Sequence, residues 1–419
     1  MPGHIAIIGA GIVGITTAIE LRARGHDVTV IGRDAPGSRR DASFGNAGWL
    51  SPGSVVPMST PGMWRKVPQY LLDPRGPLTI RPSVLPAIAP WLLRFTFAGA
   101  TERRARRIAA ALSPFLRDAA ARHATLAARI GAPELIVQDG LLIPYRDRAA
   151  YEADAFAWSL RRENGVNWTL LEGEALRSAS PGLSTDYTLG AFLPDGGHCA
   201  NPGGYVAALA AHATRQGVVF HAATLGRVRA RAGMWILDCG ARQIACDQVV
   251  VAAGLNSGRL ARRFGDRIPL VAERGYHVQT TTPMPTFGVP VMPGDLKIGV
   301  TPMQGGLRAA GQVEFAPRWR RPSRARAEIV RACLKIAVPD VGDASVTSWM
   351  GSRPSTPDCL PAIGPSRRAP GVFYATGHGH LGLVSAPLTA ELIADMIDGR
   401  PPGIDVQPYD PGRFKRLLV

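Results

Sequence analysis

Cysteine is scarce in this chain of 419 residues. The five present, Cys199, Cys239, Cys246, Cys333 and Cys359, are odd in number, scattered and nowhere spaced Cys-x-x-Cys. That argues against a disulfide framework and a zinc site, and fits a reducing compartment. Acidic residues are also in deficit: 32 Asp+Glu against 48 Lys+Arg leave a formal net charge of +16. Such a balance suits nucleic acid, an anionic membrane surface or an acidic partner; an arginine-rich protein complement explains it equally. Basic residues are spread widely, with local clusters at Arg103–Arg107 and around Arg318 to Arg326. The first has the pattern of a solvated helix face. Long hydrophobic runs are missing too. The longest uncharged apolar stretch, Ile5 to Ile19, is broken by three glycines and too short to cross a bilayer, and it lacks the basic flank of a signal peptide. These absences predict a cytoplasmic protein, compatible with a place at the inner face of a membrane. What is present is a composition of 46% hydrophobic and 19% charged residues, which excludes wholesale disorder, while 47 glycines and 36 prolines without a period exclude a collagen-like chain. The length suits two or three domains.

The chain opens with an apolar run, His4-Ile5-Ala6-Ile7-Ile8, of the kind that forms a buried parallel strand. Gly9-Ala10-Gly11-Ile12-Val13-Gly14 follows, then a helical stretch from Ile15 to Arg24 closed by Gly25, and a second strand from Asp27 to Ile31. A GxGxxG between a strand and a helix is the context that gives the motif meaning. Its glycines serve a tight turn, close approach of backbone to a pyrophosphate, and helix–strand packing. The phosphates would sit on the helix N-terminus, where free N–H groups and the dipole favour anions. One part is missing. The end of the second strand should carry an acid for the ribose hydroxyls, and here it is Gly32, followed by Arg33 and Asp34. Three readings stay open: Asp34 reaching back, Arg33 covering the adenine, or water holding the ribose.

Beyond this unit the stretch from Asp34 to about Pro90 is rich in Gly, Pro and Ser and reads as irregular, so it is expected to line a functional site. Helical patterns cover Arg103–Ile130 and Ala149–Asn164, with a short strand at Gly140–Tyr145 between them. Asn201-Pro202 starts a helix running to about Gln216. Strands follow at Val218–His221, Trp235–Asp238 and Val249–Ala252, the last entering Ala253-Gly254 in a turn suited to pass beside a dinucleotide. From Tyr276 to Phe315 the signal is mostly β, with turns at Pro293-Gly294 and Gln304-Gly305-Gly306. Arg324–Ala337 reads as a helix, Val372–Ala375 as a core strand, and a last helix ends at Ile397. Nucleotide-binding signals therefore lie at the start, middle and end. The expected fold class is α/β: a discontinuous Rossmann-like domain from residues 1–60, 196–270 and 346–419, and a β-sheet and helix domain from 61–195 and 271–345.

The assembled motifs resemble the FAD-dependent D-amino acid oxidase superfamily, and within it the bacterial D-amino acid dehydrogenases, including D-hydroxyproline dehydrogenase-like members. Gly9–Gly14, Ala42-Ser43-Phe44-Gly45-Asn46-Ala47-Gly48, Ala252-Ala253-Gly254, Arg274-Gly275-Tyr276, Lys297–Pro302, Trp349-Met350-Gly351-Ser352-Arg353-Pro354 with Thr356-Pro357-Asp358, and Gly377–Leu383 fall in order over nearly the whole chain. The resemblance implies FAD, bound by Gly9, Gly11, Ile12, Val13, Gly14 and Arg33, and by Ala253 and Gly254. Ser43, Asn46, Ala47 and Gly48 would pass the flavin ring. Gly377, Leu381, Gly382 and Leu383 would present backbone amides to its N1/O2 edge, where negative charge develops on reduction. Arg353 matches the family's carboxylate clamp, a bidentate guanidinium for an amino-acid substrate. Tyr276 would be a second carboxylate or pocket contact, or equally a strand tyrosine. His380 and His378 would border the substrate, with a structural role favoured for His378. No general base stands out; once the amine is neutral, hydride transfer from Cα to N5 needs orientation and electrostatics alone. The product imine would hydrolyse to an oxo acid or, from a proline-type substrate, stay cyclic. Covalent relatives attach FAD through a cysteine where this chain has Gly351, so noncovalent FAD is expected. The dehydrogenase-like members imply electron transfer to a quinone or carrier, and Met63–Lys66 and Trp91–Phe95 mix aromatic and basic residues as an interfacial surface would, or as a domain-packing surface would. An oxygen-using glycine or sarcosine-type oxidase is the near rival. An RNA-acting flavoprotein is favoured by the charge alone, with no RNA-binding module to support it, so no nucleic-acid partner is expected. A noncatalytic subunit is the third alternative.

Overall fold

The computed structural model describes residues 3–417 apart from residues 64, 66, 68, 70–72, 74–75, 283–286 and 318, with side chains described as far as 414. Trp64 and Lys66 of the proposed interfacial segment, and Arg318 of the second basic cluster, lie outside the described residues. The chain forms two compact units, Met1–Phe44, Pro202–Ala272 and Arg353–Val419 in the first, Gly45–Asn201 and Glu273–Ser352 in the second.

Apolar runs build the first unit. His4–Ile8 pairs in parallel with Asp27–Gly32 on one side and with Gln248–Val251 on the other. Val219–Ala222 extends the sheet beyond Asp27–Gly32, and Val372–Thr376 extends it beyond Gln248–Val251, both parallel. Ala362–Pro365 closes that edge antiparallel, making six strands. Ile7, Val30, Val250 and Tyr374 are fully enclosed, each aliphatic side chain contributing about 1.5–3 kcal/mol through burial. Ile12–Ala23 is buried on nearly every face, as a helix apolar all round must be. It packs between Pro202–Arg215 and Ala386–Ile397. A three-stranded meander, Val228–Arg231, Met234–Cys239 and Arg242–Cys246, shares a core with Val249, Val251 and Phe264.

The second unit centres on an antiparallel arrangement of Ile298–Met303, Gly306–Phe315, Val271–Thr280 and Val346–Ser355 in that spatial order, the last two strands counted up to the unit boundaries at Glu273 and Ser352, with Leu78–Ile80 parallel to the far end of Gly306–Phe315. Arg324–Ala337 buries Ala327, Val330, Leu334 and Ala337, spaced three or four apart, over Val278, Val300 and Leu307. A second antiparallel sheet joins Thr169–Glu172, Leu189–Leu193 and Leu141–Tyr145.

Two expectations change. Residues 45–60, 196–201 and 346–352, grouped above with the nucleotide-binding segments, belong to the second unit. Trp49–Leu50 pairs with Gly197–Cys199, which draws both stretches together. The irregular stretch also contains a 14-residue helix, Leu85–Ala98, with Pro86 in its first turn and Pro90 inside it.

Candidate functional site

In the first unit the Gly9–Gly14 turn is built by contact. Gly9 has φ +123°, and a Cβ there would lie 2.3 Å from the Ala252 carbonyl oxygen; one on Gly14 would lie 2.0 Å from the Gly9 oxygen. Both positions demand glycine for packing. Gly11 does not: its φ is −79° and a Cβ would meet only Ser43 Oγ, at 3.4 Å. The fold leaves that side open, so the bare Cα there is what a phosphate approaching the backbone needs. The helix begins at Ile12, whose N–H donates to Ser43 Oγ (3.1 Å), and its first turn, through Val13 and Gly14, carries no acidic residue. The turn therefore fits a dinucleotide pyrophosphate. Ala253-Gly254 follows the neighbouring strand, with Gly254 at φ +52° and its carbonyl accepting from Thr376 Oγ1 (3.2 Å).

The missing acid has a steric cause. A Cβ on Gly32 would sit 2.7 Å from the Cβ of Ala10. Asp34 is engaged elsewhere: one carboxylate oxygen accepts from Arg33 Nε (2.7 Å), the other from Arg40 Nη1 (3.0 Å). Arg33 first, then Arg40, hold its carboxyl below the usual range against the opposing effect of desolvation. Asp41, which sequence reasoning passed over, is pushed up to about 6 by burial and by the Asp34 charge, and among the described residues its Oδ2 has no hydrogen-bond partner.

Arg353 and His380 come together in the same unit. Ser355 forms a single antiparallel bridge with His378, tying the strand end that carries Arg353 to the turn that carries His380. Gly377, at φ +80°, keeps that turn close: a Cβ would fall 2.7 Å from Thr356 Cγ2. Gly382, by contrast, has only His378 Cβ at 3.7 Å, while Leu381 and Leu383 anchor the turn in the core. The helix itself starts later, at Ala386. His380 is exposed, yet its pKa is pushed down to about 4, by desolvation first and by the Arg353 charge second. The lowered value leaves a neutral imidazole near the Arg353 cation. His378 is buried and exchanges a hydrogen bond with Thr389 Oγ1 through Nε2 (3.0 Å), a packing role.

In the second unit the stretch 45–48 is held by its carbonyls. Gly45 O faces His277 Nδ1 (3.1 Å), Asn46 O accepts from Arg308 Nη1 (2.6 Å), Ala47 O from Thr301 Oγ1 (2.8 Å) and Gly48 O from the Cys199 N–H (2.7 Å). Gly48 N–H donates to Asn46 Oδ1 (2.8 Å). The Trp349 ring, stacked on His277 at 5.2 Å, occupies the space that a side chain on Gly45 or Gly351 would need. Sequence reasoning missed His277, Arg308, Thr301 and Trp349 as supports of this segment. Tyr276 is 2% exposed; its hydroxyl donates to Glu314 Oε2 (2.5 Å) and accepts from the Ser323 N–H (3.2 Å). These bonds favour the strand-core role for it.

Known proteins place this arrangement. A family model described as FAD dependent oxidoreductase matches residues 4–396. A protein of Bradyrhizobium diazoefficiens named D-amino-acid oxidase is 42% identical over 416 residues, covering 98% of this chain and 99% of the relative. One of Sinorhizobium medicae named D-amino acid dehydrogenase is 33% identical over 431 residues, with 98% and 99% covered. Among solved structures, glycine oxidase from Geobacillus kaustophilus superposes with a TM-score of 0.79 at 23% identity over 98% of this chain and 99% of its own, and L-proline dehydrogenase from P. horikoshii with 0.71 at 20% over 99% and 98%. At those identities the structures speak for the fold. The chain belongs to the family of FAD-dependent oxidoreductases, and FAD is its cofactor.

Proposed function

We propose that this protein oxidises the Cα–N bond of a D-amino acid or a cyclic secondary amino acid of the proline or hydroxyproline type, and that a quinone or protein carrier takes the electrons. The observation that carries this reading is the Ser355–His378 bridge, which brings the strand end bearing Arg353 to the turn bearing His380 in the unit that also holds the Gly9–Gly14 turn. Relatives named D-amino acid dehydrogenase support the substrate class.

FAD, when bound, supplies the two-electron acceptor. Gly9, Gly11 and the Val13 and Gly14 N–H groups would hold its pyrophosphate, with Ile12, tied to Ser43 Oγ, and Ala253-Gly254 alongside. Arg353 would bind the substrate carboxylate through two parallel N–H bonds, fixing Cα in one orientation. His380, neutral at its lowered pKa, would border the amine without adding a second positive charge. A substrate amine held beside Arg353 loses its proton more readily than in water, because a like charge disfavours its cationic form. No side chain has to act as a strong base.

A second reading has its own support. The relative with 42% identity is named an oxidase, which favours oxygen as acceptor. Anaerobic titration of the purified flavoprotein with D- and L-amino acids, proline and hydroxyproline included, tests both. Bleaching of the flavin band by D-amino acids or cyclic imino acids, followed by slow recovery in air, is the expected result. Fast recovery would make the protein an oxidase, and no bleaching by any amino acid would overturn the substrate class.

A further inference from the structure

We infer that the helix Leu85–Ala98 and the corner that follows it form a docking face for an anionic lipid bilayer. The helix is apolar apart from Arg94 and Thr96, yet Trp91 is its one buried residue. Leu85, Leu93 and Phe97 are 46%, 61% and 61% exposed. Pro86, Pro90, Leu93 and Phe97 follow one another at spacings of four, three and four, so their exposed side chains make a single stripe. Trp91 turns inward instead, stacked on Phe95 at 5.2 Å and packed on Phe315 at 5.8 Å. Of the Trp91–Phe95 segment singled out in the sequence, Leu93 is on this exposed stripe while Trp91 is buried. Trp319, 83% exposed, lies four residues beyond Phe315 and so within about 14 Å of it.

Charge decides what covers this face. The chain has no acidic residue between Asp73 and Glu102. The next helix, Glu102–Leu116, turns away at 94°, and its first turns present Arg103, Arg104 and Arg107, all exposed. Arg104 Nη1 donates to the Phe97 carbonyl (2.8 Å), which fixes this basic end against the exposed phenylalanine. Arg106 is neutralised by Glu102 and Glu163; among the described residues Arg103 and Arg107 form no ion pair. At a rise of 1.5 Å per residue these arginines sit within roughly 10 Å of the corner. A second copy meeting this face across a two-fold axis would oppose arginine to arginine. Anionic headgroups meet them with opposite charge, while the stripe enters the boundary of the acyl chains. A helix of 14 residues lying in the interface, not crossing it, suits this geometry.

Flotation of the holoprotein with vesicles of phosphatidylcholine, with and without phosphatidylglycerol, tests the proposal, which does not depend on the amino-acid reading. Binding is expected only with phosphatidylglycerol, weakening as salt rises. Leu93→Ser with Phe97→Ser, and separately Arg103→Gln with Arg107→Gln, should each lower it at least about tenfold. Both variants should keep the flavin spectrum and the elution volume of the parent. Absence of binding at low salt, or equal binding by parent and both variants, would overturn the proposal. A shift of the serine variant to a larger elution volume, from dimer to monomer, would overturn it in favour of a second copy as the occupant.

Discussion

In the proposed reaction Arg353 is the side chain that carries the largest share of the chemistry. Arg353→Ala should leave the flavin spectrum intact and lower kcat/KM by about a hundredfold or more, because a bidentate, charge-assisted contact is lost. Arg353→Lys should recover only part of it, since an ammonium has no planar fork; unchanged kinetics in both variants would remove Arg353 from the site. Tyr276 gives the contrasting case. Its hydroxyl supplies a donor to the fully buried Glu314 carboxylate, so Tyr276→Phe should cost about 1–3 kcal/mol in urea unfolding with kcat/KM unaltered. A fall in kcat/KM at constant stability would return Tyr276 to the substrate. Spacing made the Gly9 to Gly14 turn readable, because the motif is local, whereas Arg353 drew attention only through the resemblance of its surrounding motif to a family. His277, Arg308 and Thr301 were not readable: their partners in 45–47 lie 232, 262 and 254 residues away. No local pattern encodes such a meeting; only the folded sheet does.

Strands and helices were legible where one physical signal dominated. Val249–Ala252 and Val372–Ala375 read as buried strands because nothing polar interrupts them, and Arg324–Ala337 matches its helix to the residue. Leu85–Ala98 was hidden by Pro82, Pro86 and Pro90. Prolines near a helix start cost little, since the first N–H groups have no intrahelical partner, and packing of Trp91 on Phe315 outweighs the remaining penalty. The contact between Ala10 and Gly32 belongs to this scale as well, a turn fitted against a strand end. Gly32→Asp, which restores the ribose-binding acid, should lower the flavin-to-protein absorbance ratio, because its Cβ collides with Ala10. Adding Ala10→Gly should restore the ratio to the parent value or above it. Full flavin content in Gly32→Asp alone would show that the clash is easily relieved.

Across the whole molecule, acid stability is set in part by a histidine that takes no part in the proposed chemistry. Burial pushes the His378 pKa from 6.5 down to about 4. Between those values the unfolded chain binds a proton that the folded chain refuses, so stability rises with pH through the window and is lost as pH falls, by about 3 kcal/mol at most. Urea midpoints measured from pH 6.5 downward should fall less steeply in His378→Gln than in the parent; identical slopes would assign the acid sensitivity elsewhere. The length pointed to more than one domain, and the nucleotide signals at the start, middle and end pointed to a discontinuous one. The boundary at Gly45 was out of reach, because it depends on the pairing of Trp49–Leu50 with Gly197–Cys199. The interleaving has a consequence for how the protein is made. His4–Ile8 needs Gln248–Val251 as its neighbour, and that strand needs Val372–Thr376. A ribosome must therefore release most of the chain before the central sheet can close, leaving an apolar strand edge open during nearly all of translation. Chaperone dependence during synthesis, and aggregation of any C-terminal truncation that removes Val372–Thr376, follow from the order in which the strands emerge.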